Sequence, residues 1–84
     1  MSPNAGKATG IRFYAPTAGW GTVDVFDAWG RMVRTLFVGD VTAGWNRVDW
    51  RGDDARGAMV PSGSYFVKIV AGTRLRFARI VLVR

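Results

Sequence analysis

The stretch from Trp50 to Phe66 constrains the fold of this chain more than any other part of its sequence. An alternation of apolar and polar residues runs into Trp50, and a second alternation starts at Tyr65. Between them lie residues that favour turns: Gly52, Gly57, Pro61 and Gly63. Glycine readily adopts a positive φ, and proline fixes its own φ and lacks a backbone donor, so neither suits a strand interior. We therefore predict a long corner between two strands, with a large aromatic residue at each end.

Short runs of alternating apolar and polar residues cover most of the remaining chain, a pattern typical of strands with one buried face. The runs occupy residues 11–15, 22–27, 31–38, 45–50, 64–71 and 74–83. Turn residues separate them about every 8–12 positions, as in antiparallel sandwiches. Because 84 residues are too few for two cores, we predict one all-β domain over residues 1–84. Its expected architecture is an antiparallel β-sandwich of six to seven short strands.

Two of these runs have unusual patterns. In the third run, Met32, Val33 and Leu36 follow helical spacing, but eight residues between two glycines are too few for a stable helix. We predict a strand with a bulge where Met32 and Val33 adjoin. In the last run, Leu75 and Phe77 share a face and are predicted to point into the core. The segment 80–83 is apolar on both faces, which predicts a strand covered from both sides.

The composition argues against catalysis. The chain has no His, Cys or Glu, so the common general bases and the imidazole and thiolate metal ligands are absent. Its serines therefore have no histidine to activate them. We predict a non-catalytic domain without a cofactor. No apolar run is long enough to cross a membrane, and the first seven residues lack the apolar core of a signal peptide.

The acidic residues near the corner form a candidate metal site. Asp49, Asp53 and Asp54 carry carboxylates of the kind that Ca²⁺ prefers, but they do not form a complete calcium-loop signature. Aspartates in turns more often accept hydrogen bonds from backbone amides. We therefore assign no metal ligand.

Three tryptophans beside predicted turns are candidate partner-binding residues. Trp50 shares a face with Val48 and is predicted to lie in the core, whereas Trp20, Trp29 and Trp45 adjoin turns. The strand directions predict Trp20 and Trp45 at one end of the sandwich and Trp29 at the other. An exposed pair can stack on sugar rings or anchor a protein contact. The alternative is that each tryptophan covers an open end of the small core.

The net charge of +6 arises from ten Arg and two Lys against six Asp, scattered along the chain. Such a balance permits anionic partners. Lys68, Arg74 and Arg76 are predicted to form a basic stripe on neighbouring strands. Nucleic-acid binders usually interleave such a stripe with surface aromatics. Because Leu75 and Phe77 are predicted to point inward, the pattern favours a solvated face over a nucleic-acid site.

The order of the motifs resembles a known family. The segments V-D-V-F-D-A-W-G-R-M-V-R-T-L, A-G-W-N-R-V-D-W-R-G and G-A-M-V-P-S-G-S-Y-F start at Val23, Ala43 and Gly57. They resemble the Ig-like domain of the flagellar hook-capping protein FlgD. They are also similar to the type A C-terminal sorting domains of type IX secretion cargo, whose terminal motifs resemble residues 2–5 and 79–84. Arg51 replaces the acid of the usual W-D-G box, and Ala5 and Arg79 replace the usual Pro and Lys.

The resemblance implies an Ig-like β-sandwich that acts as a structural or interaction module of an extracellular or cell-surface bacterial assembly. Docking, subunit packing and secretion sorting are the activities it implies. The structural positions of its boxes correspond to Trp50, Gly52, Pro61, Gly63 and Tyr65. The alternatives are a carbohydrate-binding module that uses Trp20 and Trp45, or a nucleic-acid binder.

A protein partner is expected at the strand edges and chain ends. An open sandwich has edge strands whose unpaired backbone groups can pair with another chain. The first ten residues lack an apolar pattern of their own, so we predict that self-association or docking orders them. Arg12, Arg47 and the apolar segment 80–83 are the residues expected to contribute charge and burial to that contact.

Overall fold

A computed structural model describes residues 8–83, and these residues form an all-β fold. It has six strands: β1 (Thr9–Ala15), β2 (Gly19–Asp27), β3 (Met32–Val41), β4 (Gly44–Trp50), β5 (Gly63–Ala71) and β6 (Arg74–Leu82). The six predicted runs correspond to these strands one to one, which confirms the predicted all-β class. Residues 1–7 lie outside the described residues. The predicted docking role of this N-terminal segment and its similarity to a sorting motif therefore cannot be compared with the structure.

The strands form two antiparallel sheets that pack face to face. One sheet contains β1 and β4, and the other has the order β3-β2-β5-β6. Within the described chain, β2 and β5 are the strands with a neighbour on both sides, whereas β1, β4, β3 and β6 each keep one unpaired edge. Because the first sheet has only two strands, it covers only part of the second.

The core lies between the sheets and consists of the inward residues of each alternating strand. Eleven buried apolar side chains form it: Ile11, Phe13, Ala15, Val23, Val25, Val41, Trp50, Tyr65, Val67, Ile69 and Leu82. Trp50 is 1% exposed, as its alternation with Val48 predicted. No buried polar or charged residue is found among the described residues, so the hydrophobic effect dominates the stability of this core.

Strand β3 is bulged at two places. The register with β2 shifts between Val25 and Phe26, and again between Val23 and Asp24. The first shift leaves Val33 without a partner on β2, which confirms the bulge predicted beside Met32. A bulge adds one residue to a strand and changes the direction of the side chains that follow. Here the two bulges explain why the burial of β3 does not follow a simple alternation.

The predicted long corner contains a small hairpin. Asp53 and Met59 form an antiparallel bridge, and the Val60 N–H donates to the Gly52 carbonyl at 3.0 Å. The two aromatic residues at the ends of the corner meet above it. The rings of Trp50 and Tyr65 pack edge to face at 5.2 Å between centroids.

Both aromatic residues also hold the corner through hydrogen bonds. The Trp50 Nε1–H donates to the Asp53 carbonyl at 2.9 Å, and the Tyr65 hydroxyl donates to the Pro61 carbonyl at 2.6 Å. The tyrosine bond spans four residues back along the chain, as in the tyrosine corner of Ig-like sandwiches. Gly63, with φ of 155°, lies where β5 begins and turns the chain from Pro61 towards Tyr65.

The predicted inward direction of Leu75 and Phe77 is wrong. Their side chains are 49% and 64% exposed. The register pairs Leu75 with Val70 and Phe77 with Lys68, on the face of β5 that points away from the core. Arginine and apolar residues alternate in the first half of β6, and such an alternation is compatible with either phase. The pairing with β5 selects the phase that sends the arginines towards the inner side.

The prediction that segment 80–83 is covered from both sides is also wrong. Leu82 is buried and Ile80 is half-buried, but Val81 and Val83 are exposed. The reason is that β6 is an edge strand whose outward face is not covered by any other part of residues 8–83. The apolar character of this outward face therefore needs another explanation.

Candidate interaction surfaces

The outward side of the four-stranded sheet carries many of the exposed apolar side chains of the described chain. We call it the outer face. Antiparallel partners lie on the same face of a sheet, so the register arranges its residues in three rows across the strands. These rows are Val38–Thr22–Val70–Leu75, Thr35–Asp24–Lys68–Phe77 and Met32–Phe26–Phe66–Arg79.

Three phenylalanines lie close together on the outer face. Phe26, Phe66 and Phe77 line an open groove of about 490 Å³ beside Lys68 and the β2–β3 turn. Leu75 and Val81 extend the exposed apolar surface along β6. Exposed apolar side chains that adjoin one another in this way make the outer face a candidate interaction surface.

The charged residues of the three rows are mainly cationic. Lys68 and Arg79 lie on it, and Arg79 Nη2 donates to Ser64 Oγ at 3.1 Å. Asp24 is the carboxylate of these rows, and its Oδ1 accepts a hydrogen bond from Thr35 Oγ1 at 2.6 Å. The three rows thus combine an apolar centre with two cations and one carboxylate, and Asp40, which pairs with Trp20, adds a second carboxylate at the margin of the outer face.

A second surface lies on the other side of the sandwich, where Tyr14 of β1 pairs with Trp45 of β4. Their rings pack edge to face at 5.6 Å between centroids. The Arg12 guanidinium lies over the Trp45 ring, with Cζ 5.0 Å from the ring centroid. These three side chains are exposed and hold one another in place.

A cleft of about 260 Å³ runs along this cluster between the unpaired edge of β1 and the inner side of β6. Its arginines are Arg12, Arg74 and Arg76. Its remaining lining is mainly apolar: Phe13, Tyr14, Trp45, Ile69, Phe77 and Ala78. Among the salt bridges of residues 8–83, none involves these three arginines.

The predicted basic stripe of Lys68, Arg74 and Arg76 does not form. Lys68 pairs with Phe77 on the outer face, whereas Arg76 pairs with the buried Ile69 and therefore lies on the opposite face of the sheet. The residues were placed on neighbouring strands correctly, but the phase of β6 separates them.

The tryptophans singled out from the sequence are exposed and lie apart. Trp20 belongs to the outer side of the four-stranded sheet, where it pairs with Asp40, and Trp45 lies on the outward side of the two-stranded sheet. Although both adjoin the same end of the sandwich, they point in opposite directions. Trp29 lies in the β2–β3 turn with its ring 5.4 Å from the Arg31 guanidinium. None of the three closes the core.

Arg47, the other arginine predicted to bind a partner, already has contacts within the domain. Its Nε lies 2.9 Å from Asp49 Oδ1. Its guanidinium also packs against the backbone of Gly10, where an added Cβ would meet Arg47 Nη2 at 2.9 Å. Arg47 therefore helps to hold β1 against β4.

The three candidate calcium ligands each have a different partner. Asp49 pairs with Arg47, and Asp53 Oδ1 lies 2.9 Å from Arg34 Nη1. That second pair is an ion pair without an aligned hydrogen bond, since neither Asp53 Oδ1 nor Arg34 Nε has a partner of hydrogen-bond geometry. Asp54 Oδ1 accepts from the backbone N–H groups of Arg56 and Ala58. Over residues 8–83, no group of three or more His, Cys, Asp or Glu is placed to hold a metal.

Asp54 begins a turn whose hydrogen bonds match those of another turn. In each, an aspartate carbonyl accepts from a glycine three residues on: Gly57 for Asp54, and Gly30 for Asp27. The Asp27 carboxylate likewise accepts from two backbone N–H groups, those of Trp29 and Arg31. These D-A-x-G turns lie side by side and line one shallow pocket of about 390 Å³.

The turn environment lowers the pKa of Asp27 below its ordinary value of 3.8. The largest cause is the hydrogen bond from the Arg31 backbone N–H. The Arg31 side chain, whose Nε donates to Asp27 Oδ2 at 2.8 Å, and the Trp29 N–H act in the same direction. All of these interactions favour the ionised carboxylate.

Sequence reasoning did not find the outer face. A signal for it was present in β5, where Phe66 and Val70 alternate with the core residues, so that both faces of the strand carry apolar side chains. Arg74 and Arg76 were noticed, but the cleft they share with Arg12 depends on how far the smaller sheet extends. That extent is a property of the sheet packing, which the sequence pattern does not give.

The described residues contain no helix, and so none long and apolar enough to span a membrane. With a six-stranded antiparallel sandwich and a tyrosine corner, residues 8–83 have the features of an Ig-like domain.

The chain belongs to the FlgD Ig-like domain family, whose model matches residues 3–74. It is 42% identical over 57 residues to the basal-body rod modification protein FlgD of Salmonella typhimurium. That match covers 64% of this chain and 25% of the relative, so the chain spans about a quarter of the length of its curated relatives.

Solved structures show the same fold. FlgD from P. aeruginosa superposes with a TM-score of 0.73 at 22% identity, covering 87% of this chain and 57% of that chain. PorZ, a surface component of the type IX secretion system of Porphyromonas gingivalis, superposes with a TM-score of 0.58 at 16% identity, covering 99% of this chain and 12% of that one. At 22% and 16% identity, these likenesses establish the fold alone.

Proposed function

We propose that this domain is a non-catalytic docking module of a bacterial extracellular or cell-surface assembly, and that the outer face is its docking surface. The observation that carries the proposal is the apolar cluster of half-buried Phe26 and exposed Phe66 and Phe77, on the side of the four-stranded sheet that no other layer covers within residues 8–83. Contact with a partner protein removes this apolar area from water, which favours association.

The charge of the outer face indicates the chemistry of the partner. Lys68 and Arg79 flank the apolar centre, while Asp24 is engaged with Thr35. A second copy of this chain would bring another +6 net charge and the same two cations. A different protein, with an apolar patch bordered by carboxylates, is complementary instead. Of the two arrangements expected from the sequence, docking to another component is therefore favoured over self-association.

The family supports a structural role. The curated relatives are named as basal-body rod modification proteins, which describes assembly rather than catalysis. Docking, subunit packing and secretion sorting are all compatible with an apolar outer face. The extracellular or surface location is part of the proposal and rests on this kinship.

The tryptophan-based alternative has less support. Carbohydrate binding by Trp20 and Trp45 together would need one platform, whereas the two rings lie on opposite sides of the sandwich. Nucleic-acid binding along Lys68, Arg74 and Arg76 meets the same difficulty, because these cations lie on two faces.

Photo-cross-linking in the native bacterium tests the docking surface. A benzophenone amino acid at Phe66 should give an adduct with a different protein, and the same probe at Trp29, which is 81% exposed in the β2–β3 turn, should not. The purified partner should bind the full chain, and Leu75→Ser should weaken that binding at least about tenfold by removing apolar contact.

The opposite results would contradict the proposal. An adduct from Trp29 but not from Phe66 would place the docking surface at the turn. A homodimeric adduct, with self-association in analytical ultracentrifugation, would replace the heterologous partner with a second copy. Equal binding by Leu75→Ser and the unmodified chain would remove the outer face from the interaction.

A further inference from the structure

Two features of residues 8–83 meet in the cleft between β1 and β6: a strand edge without a neighbouring strand, and three arginines without a salt bridge. Strand β1 pairs with β4 on one side only, so its other edge presents backbone donors and acceptors without a neighbouring strand in residues 8–83. Arg12, Arg74 and Arg76 line the same cleft. No salt bridge of the described chain neutralises these three guanidinium groups.

We propose that this cleft binds an acidic peptide segment of another protein, which adds to the edge of β1 as an extended strand and places carboxylates against Arg12, Arg74 and Arg76. The backbone edge of β1 provides the hydrogen bonds of strand addition. The arginines provide the selectivity for acidic side chains.

Arg12 is held ready for such a contact. Its guanidinium lies over the Trp45 ring, and Trp45 is itself held by the edge-to-face contact with Tyr14. A guanidinium that stacks on a ring uses its flat face, which leaves the N–H groups at its edge free to donate to a carboxylate. Little side-chain entropy is then lost when the carboxylate binds.

Arg74 and Arg76 approach the cleft from the other side. They lie on the inner side of β6, beyond the reach of the two-stranded sheet, and both are exposed. Arg76 Nη1 donates only a long 3.4 Å bond to the Leu75 carbonyl. Three arginines around one cleft repel one another, so a peptide carboxylate between them relieves repulsion as well as forming new bonds.

The apolar lining favours an extended peptide with alternating character. Phe13, Ile69 and Ala78 lie at the inner side of the cleft, where β1 ends and the core begins. In an extended strand, successive side chains point to opposite faces. A segment that alternates acidic and small apolar residues would therefore present its carboxylates on one face of the strand and its apolar side chains on the other.

A peptide explains more of the cleft than a nucleic acid does. A polyanion would satisfy the arginines, but it has no strand that can pair with the open edge of β1. The site also lies apart from the outer face, which occupies the opposite side of β5 and β6. Phe77 borders both surfaces, so it is avoided in the variants below.

Isothermal titration calorimetry of the full 84-residue chain tests this site. The probe is an extended peptide of about eight residues in which Asp alternates with Val. The controls are the same peptide with Asn for Asp, and a version with N-methylated backbone amides. The variants are the double substitution Arg12→Gln with Arg76→Gln, and the matched control Arg51→Gln, an exposed arginine outside the cleft.

The acidic peptide should bind more tightly than its Asn counterpart, with an affinity that falls as salt is raised. The double substitution should weaken it at least about tenfold, as expected when charge-assisted hydrogen bonds are lost, while Arg51→Gln should leave it unchanged. N-methylation should abolish binding. Leu75→Ser, which tests the outer face, should leave the affinity for the acidic peptide unchanged. The two proposals can therefore fail separately.

Three results would overturn the inference. Equal binding of the acidic and Asn peptides would remove the arginines from recognition. Undiminished binding of the N-methylated peptide would exclude strand addition. A single-stranded oligonucleotide that binds more tightly than the acidic peptide, and is lost with Arg12→Gln and Arg76→Gln, would identify the cleft as a polyanion site instead.

Discussion

Substitution of Trp50 by alanine should remove most of the stability of this domain. The indole is 1% exposed, its Nε1–H donates to the Asp53 carbonyl at 2.9 Å, and its ring packs on Tyr65. Emptying a buried aromatic site costs about 3–5 kcal/mol. At about 0.05–0.15 kcal/mol per residue, a domain of this size has a total stability of about 4–13 kcal/mol. Trp50→Ala should therefore unfold the domain or leave it marginal.

Two further variants separate the contributions at this site. Trp50→Phe keeps an aromatic ring but loses the donor to the Asp53 carbonyl, and should cost about 1–3 kcal/mol. Trp20→Ala truncates a tryptophan of the same size that is exposed on the other side of the chain, and should change the stability by less than about 1 kcal/mol.

Urea unfolding followed by far-ultraviolet circular dichroism measures these differences. The midpoint should fall in the order Trp20→Ala, Trp50→Phe, Trp50→Ala. A Trp50→Ala variant that unfolds cooperatively at the same urea concentration as Trp20→Ala would show that Trp50 does not hold the corner, and would refute the reasoning.

The glycine and aspartate of two turns give further predictions. Gly63→Val should cost about 1–3 kcal/mol through backbone strain at φ of 155°. A steric clash does not contribute, because no atom lies within 4 Å of an added Cβ. In urea unfolding this variant should be less stable than Ala71→Val, and equal stabilities would contradict the turn assignment. Because the pKa of Asp27 is lowered on folding, its charge stabilises the fold above pH 3.8 and that contribution is lost as the pH falls through the folded pKa. Thermal unfolding should show Asp27→Asn less stable than the unmodified chain near neutral pH, with the gap closing in acid; a gap that does not change with pH would contradict the assignment.

The parts of the fold that sequence predicts well are those fixed by local chemistry. The glycines and Pro61 mark the turns between strands. Alternation with a period of two residues identifies β1, β2 and β5, because only one phase buries their apolar residues. Gly30 has a positive φ of 82°, as its predicted place in a hairpin turn requires. The bulge beside Met32 was likewise predictable from two adjacent apolar residues.

The candidate surfaces were less predictable because they depend on which strand faces are covered by the other sheet. In β6 either phase places apolar residues on one side and arginines on the other, so burial alone cannot choose between them. The register with β5 makes the choice, and the arginine side stays open because residues 8–83 supply no third strand beside β1. Neither fact is encoded within the nine residues that form the strand. The exposed position of Phe77 follows from these two facts together.

Strand β6 also explains how one small domain can carry two surfaces. Its first half sends Leu75 and Phe77 to the outer face and Arg74 and Arg76 to the cleft. An edge strand with both faces uncovered is usually a liability, because it invites aggregation. Here the two faces differ in chemistry: one is apolar and the other is cationic. A partner that docks on the outer face leaves the edge of β1 accessible, so the two proposed ligands need not compete except where both approach Phe77.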